Sequence, residues 1–162
     1  MRARRRGLTI DVGPFDRARA TNPFRASTYV FIPYCTGDLH GGSHVATYQA
    51  LDTRTYHHVG RLNAVVYLAR LAATWPRPSR VVVSGTSAGG FGATLNYDLF
   101  RAAFPDAKAA LVDDAGPFLE GEGIPSGVRG PWFESWHLGD VVDPPHGQRR
   151  RIRVDLAVTR AR

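Results

Sequence analysis

One cysteine, one methionine and one lysine, Lys108, among 162 residues are the first features of this sequence, and each shortage excludes something. With Cys35 alone, an internal disulfide framework and a cysteine-built zinc site are ruled out within the chain. Long apolar runs are missing as well. None approaches the ~20 residues that a membrane-spanning helix needs, so no span and no membrane partner are expected. Met1-Arg2-Ala3-Arg4-Arg5-Arg6 has the basic start of a secretory leader, yet Asp11 follows directly on Gly7-Leu8-Thr9-Ile10 and leaves no apolar core. No signal peptide is expected, which makes the cytoplasm the default location.

Acidic residues are fewer than basic ones, and the formal net charge is +7. The excess sits at the ends: residues 1–6 carry four arginines and residues 149–162 carry six, whereas residues 7–148 sum to slightly negative. Basic tails attract phosphates without reading sequence. There is no interleaving of aromatic residues and no recognition motif, so a specific nucleic-acid partner is not expected.

What is present is a globular composition, 43% apolar and 10% aromatic, at a length that suits one domain. The text divides into a basic segment over 1–12, a domain-like part over 13–147 and an arginine-rich tail over 148–162. Within the middle part, Thr28-Tyr-Val-Phe-Ile32 reads as a buried strand stopped by Pro33. Residues 34–59, with three glycines and four histidines in no steady period, read as a loop region that approaches a ligand. Leu62, Val65, Val66, Ala69, Ala72 and Ala73 mark one stripe of a helix ended by Trp75-Pro76.

Arg80-Val-Val-Val-Ser84 has the continuous apolar character of a parallel strand covered on both faces. Phe91, Leu95, Leu99, Ala102 and Ala103 then keep helical spacing up to Pro105, and Lys108 to Asp113 gives another strand. The expected order is βαβαβ, an α/β fold of the α/β-hydrolase type: a parallel sheet with helices on both faces and ligands at the carboxyl ends of its strands. Trp132-Phe-Glu-Ser-Trp136 reads as a short helix or a lid-like loop.

The chemistry centres on Gly85-Thr86-Ser87-Ala88-Gly89, between a strand and a helix. Glycines flanking a serine in that setting permit a sharp turn that presents the hydroxyl, and Gly90 lets the helix approach the sheet. Ser87 is the candidate nucleophile, and the Ala88 N–H, at the positive end of the helix, is the candidate oxyanion donor. A serine needs a base and an orienting acid. Asp113, Asp114, Asp140 and Asp143 are the acids that follow, and His137 and His146 the bases. Asp113 with His146 keeps the order serine, acid, histidine. Asp38 with His40, His44, His57 and His58 could be arranged around a metal, but Gly41-Gly42 makes the helix that such spacing needs unfavourable. Neither a metal nor a cofactor is expected.

Three motifs in order, Phe31-Ile-Pro-Tyr-Cys-Thr-Gly-Asp38, Val83-Ser-Gly-Thr-Ser-Ala-Gly-Gly90 with Asn96, and Asp113-Asp-Ala-Gly-Pro-Phe118, resemble the pectin acetylesterase/Notum family and its bacterial members. The resemblance covers about residues 13–137. It implies a serine carboxylesterase that removes an acyl group through an acyl-serine, with a small acyl ester or an acetylated saccharide as substrate. It also implies Ser87 as nucleophile, Ala88 as oxyanion donor, Asp38 in the loop that lines the pocket, and Asp113 and Asp114 in a structural motif beside the site. The family's upstream glycine-rich segment has no match in Met1 to Phe24, and its triad acid and histidine lie on later strands and loops. The expectation is therefore the central part of an esterase, with the arginine-rich ends read from a truncated or frame-shifted gene. The alternative function is a catalytically incomplete remnant.

Overall fold

The computed structural model describes residues 13–49, 53–116 and 126–141, which fall into two compact units, Met1–Pro33 and Tyr34–Arg162. The arginine-rich ends, Asp143 and His146 lie outside the described residues.

The first unit is a loop structure held by side chains. After a single 3-10 turn, Gly13–Phe15, the Asn22 amide donates to the carbonyls of Pro14 and Asp16 at 2.7 Å each. The Arg17 guanidinium donates to the carbonyls of Arg25 and Ser27 and lies over the Tyr29 ring. The strand expected over Thr28–Ile32 is not formed. Val30 is 49% and Phe31 86% exposed, and no described strand pairs with this segment. β-branched and aromatic residues favour extended backbone, but a strand exists only where a neighbour takes up its N–H and C=O groups.

The second unit opens, after the loop from Tyr34, with an antiparallel pair where a loop was expected. β1 (His44–Tyr48) runs against β2 (Arg54–His58) from His44↔His58 to Tyr48↔Arg54. Thr47 and Thr55 face each other across the pair, with their hydroxyls 3.3 Å apart. Polar residues stand on both faces, so the apolar alternation that identifies most half-buried strands is absent; Val45 and the threonines and tyrosines are the strand-favouring residues there.

Helix α1 (Gly60–Thr74) has the expected extent, and Trp75 closes it by donating its N–H to the Leu71 carbonyl. Its buried face is not the expected stripe. Gly60, Arg61, Ala64 and Leu68 are buried, while Leu62 is 49% and Val66 66% exposed. A helix apolar around most of its circumference offers two stripes, and the tertiary partner chooses between them. Here the partner is α2 (Ala88–Ala103). Ala64 and Leu68 meet Leu99 and Phe104 in the core, with Val65, Leu71, Ala72, Val81 and Phe100 around them. Burial of these apolar side chains, at about 1.5–3 kcal/mol for each large one, is the main stabilising contribution of the layer.

The sheet beneath consists of β3 (Arg80–Thr86) and β4 (Lys108–Asp114), parallel and in register from Arg80↔Lys108 to Thr86↔Asp114. Among the described residues it has two strands, so the order is α1–β3–α2–β4 rather than the full βαβαβ. Burial on both faces is also corrected. Val81 and Val83 of β3 and Ala109 and Leu111 of β4 turn toward the helices, whereas Val82 and Val112 are 36% and 51% exposed on the opposite face. Both helices therefore cover one face. Continuous apolar residues record that a strand can be buried twice, not that two layers are in place. A last helix, α3 (Ser126–Trp136), forms where a helix or lid was expected; it contains Pro131 and runs into a 3-10 turn, Leu138–Asp140. No described helix is long and apolar enough to cross a membrane.

Candidate active site

The turn from β3 into α2 positions Ser87. Its backbone stands at φ 54° and ψ −121°, a region that costs a residue with a Cβ about 1–3 kcal/mol. Neighbouring hydrogen bonds hold it there. The Ser87 N–H donates to the Asp114 carbonyl at 2.9 Å, and the Ser87 carbonyl accepts from Gly90 and Phe91 at 2.9 and 3.1 Å. The positive φ thus falls on the serine itself, and the glycines serve a different purpose. A Cβ on Gly85 would lie 2.0 Å from the Gly89 carbonyl oxygen, and one on Gly90 would lie 2.3 Å from Asp113 Oδ1. At Gly89 a Cβ would meet nothing within 4 Å, so that glycine leaves open space beside the serine.

Ser87 occupies the N-cap position of α2, yet its hydroxyl makes no capping hydrogen bond, and the residue is exposed. A serine at a helix start normally gives its oxygen to the first turn. Here the oxygen is presented to solvent, while the N–H groups of Ala88 and Gly89, first in the helix, have no carbonyl one turn earlier to bond. An exposed hydroxyl, unpaired N–H groups and the positive end of α2 converge on one spot, an arrangement suited to binding an oxyanion formed at an atom attached to Ser87.

Beneath the turn, Asp113 is committed to structure. Its Oδ2 accepts from the Thr94 hydroxyl at 2.9 Å and its Oδ1 from the Gly116 N–H at 3.0 Å, which ties the end of β4 to α2. Asp114 is exposed and accepts from the Thr86 hydroxyl at 3.2 Å.

Asp38 anchors a second part of this region. Its side chain is fully buried. Oδ1 accepts from the Thr36 hydroxyl and the His40 N–H, and Oδ2 accepts from Gly42 at 3.1 Å and Gly60 at 2.7 Å. Gly60 begins α1, so the carboxylate caps that helix from a distant part of the chain, where Val59 supplies no side-chain cap. Asp38 therefore shapes the loop from within and turns no oxygen toward a ligand. Leu39 and His40 adopt positive φ, 53° and 61°, to follow the curve it imposes.

The loop rests on α2 through His40, whose ring fills the space beside Gly92 and whose carbonyl accepts from the Asn96 amide at 2.9 Å. Burial lowers the His40 pKa, and the nearby Asp38 charge opposes that shift. Arg61 completes the support. Buried in the first turn of α1, it donates to the Leu95 carbonyl and makes two bonds to Asp98, at 2.9 and 2.8 Å. Arg61 and Thr94 were not singled out from the sequence, because neither stands in a motif and an arginine on a helix is ordinarily solvated.

The histidines are divided among other tasks. His58 bonds the Thr36 carbonyl and the Tyr48 hydroxyl, and the His44 ring stacks on that of His137 at 3.8 Å. Among the described residues no histidine nitrogen hydrogen-bonds the Ser87 hydroxyl, and no group of three or more metal-ligating side chains occurs. The sequence candidates thus separate into two groups: Ser87, Ala88, Gly85, Gly89, Gly90 and Asp113 at the turn, and Asp38 under the adjoining loop. Of Asp140 only the backbone is described, in the 3-10 turn after α3.

Comparison with known proteins bears on the same residues. The family model described as Pectinacetylesterase matches residues 10–132. Pectin acetylesterase 7 of Arabidopsis thaliana is 31% identical over 138 residues, which cover 84% of this chain and 34% of that protein. The chain thus spans about a third of the length of that relative. No solved structure matches.

Proposed function

The chain belongs to the pectinacetylesterase family, and from that premise we propose that it is a serine hydrolase of acetyl esters, acting on an acetylated saccharide through an acyl-serine. The backbone of Ser87 carries this reading: a positive φ held by three hydrogen bonds, with the side chain left out of the helix cap. Strain of this kind persists where surrounding structure enforces it, and at a strand-to-helix junction its effect is to present the hydroxyl.

In the proposed reaction a base removes the proton from Ser87 Oγ as the oxygen attacks the acyl carbon. The carbonyl oxygen gains charge and lies against the Ala88 N–H, a donor of a kind typically worth about 2.7–4 kcal/mol in the transition state. Collapse of the tetrahedral species expels the sugar alcohol, which takes the proton, and water then releases acetate from the serine by the same steps. Within this chain the pair Asp113 and His146 is the candidate acid and base. With both its oxygens bonded to Thr94 and Gly116, Asp113 is better suited to support the turn than to orient a histidine.

A second reading, a remnant that keeps the nucleophile turn without turnover, is favoured by one observation: the Ser87 hydroxyl has no histidine partner among the described residues. Acetate release separates the two. The esterase reading predicts release from acetylated galacturonate oligomers that Ser87→Ala abolishes, with a burst of 4-nitrophenol from 4-nitrophenyl acetate. Equal rates for the chain and Ser87→Ala support the remnant.

A further inference from the structure

Three consecutive residues fasten the end of α3 to β1 and to the loop before it. The Trp136 carbonyl accepts from the Ser43 N–H at 3.1 Å, the His137 ring lies 3.8 Å from the His44 ring with the planes 11° apart, and the fully buried Leu138 packs against Gly41. To enter this position the chain turns at His137, which takes the left-handed conformation, φ 54° and ψ 42°. A residue with a Cβ adopts it at some cost, so the contacts around it must hold it there.

The middle contact differs in chemistry from the other two. His44 is half-buried and His137 exposed, so both rings can exchange protons with solvent. Imidazole changes charge between about pH 5 and 8. A neutral pair stacks as two flat rings, and a single proton leaves a cation against a neutral ring. Two protons set like charges face to face, and these repel. Most other ionisable groups on the elements that meet here are committed elsewhere. His58, opposite His44 in the strand register, is bonded on both ring nitrogens, and Asp38 in the loop is bonded on both oxygens. Arg61, whose N–H donates to Gly42, pairs with Asp98, and His40 lies against Gly92. On β2, His57 falls on the other face by strand alternation and Arg54 at the far end, opposite Tyr48. The carboxylates on the segment of His137 itself are Glu134, which is exposed, and Asp140.

We infer that the His44–His137 stack is an acid-released latch, which holds the end of α3 to β1 while at most one ring is charged and opens when both take up protons. Opening removes one of the contacts that keep His137 in its left-handed turn, so the backbone favours release as well. The consequence extends beyond the latch because α3 also leans on α2. Trp132 meets the ring of Phe91 at 6.2 Å, and the Phe91 N–H donates to the Ser87 carbonyl. Acid thus loosens the helix that packs next to the serine turn. The inference stands without the esterase reading, since it concerns the hold on α3 and no chemistry at Ser87.

Acrylamide quenching of tryptophan emission tests this on the full chain carrying Trp75→Phe, in which the remaining indoles, Trp132 and Trp136, both belong to α3. The expected result is a step to stronger quenching as the pH falls from about 7 to about 5. His44→Phe keeps a stacked ring without a titratable nitrogen and removes the step. His137→Asn tolerates the same backbone but cannot stack, so it shows the acid level of quenching already at about pH 8. Glu134→Gln and Asp140→Asn retain the step. Far-UV circular dichroism at each pH checks that the helices persist. Quenching that stays flat between those pH values, an equal step in His44→Phe, a step lost in either carboxylate variant, or a step that coincides with loss of the helical signal overturns the inference.

Discussion

Replacing Asp38 by alanine removes the acceptor for four donors at once. Two of them, the Gly42 and Gly60 N–H groups, are wholly buried where they meet Oδ2, at 3.1 and 2.7 Å. An unsatisfied buried donor costs about 1–3 kcal/mol, which gives roughly 2–6 kcal/mol for this pair. Loss of the carboxylate at the start of α1 adds about 0.3–1 kcal/mol. Asp38→Ala should therefore lower unfolding stability by about 2–7 kcal/mol, a large share of what a domain usually possesses.

Asp38→Asn preserves the shape but keeps one oxygen for two donor pairs, so about half that loss is expected. Urea unfolding followed by circular dichroism at pH 7 reads both variants, with the denaturant slope checked for constancy before midpoints are compared. A loss below about 1 kcal/mol for Asp38→Ala would show that the loop and the helix start are not joined through this carboxylate, and the supporting argument for the site would fall with it.

Two further expectations follow from the backbone and from burial. Ser87→Gly relieves the positive φ and should raise stability by about 1 kcal/mol, where Ser87→Ala keeps the strain and should not; thermal unfolding of the pair decides, and equal midpoints contradict the strain. Burial lowers the His40 pKa below its ordinary value of about 6.5, against the opposing pull of the Asp38 charge. The unfolded chain then binds the proton more readily, so the stability held above that value is lost as pH falls through the folded pKa. His40→Gln should flatten that part of the stability profile, and an unchanged slope between pH 7 and 5 would count against the assignment.

How much the sequence disclosed differs between turn and frame. The parallel pair β3–β4, helix α2 and the Ser87 junction were legible because local signals agreed there: an apolar run, a glycine-rich turn, then helical spacing closed by Pro105. Thr28–Ile32 misled, since extended propensity says nothing of whether a neighbouring strand exists. The β1–β2 pair was hidden by polar residues on both faces, and the buried side of α1 by a choice that only contact with α2 decides. A family motif drew attention to Asp38 as a residue of the pocket loop, but not to its part in joining that loop to the start of α1. That four donors from Thr36, His40, Gly42 and Gly60 converge on it depends on distant parts of the chain meeting, which no local pattern records.

Fluorophosphonate labelling followed by peptide mass spectrometry tests the central claim most directly, because it reports whether Ser87 is a nucleophile whatever the substrate. The account predicts one adduct per chain on the peptide containing Ser87, absent in Ser87→Ala and after unfolding. An unlabelled chain under conditions in which a known serine esterase reacts fully, or an adduct on another residue, would contradict it.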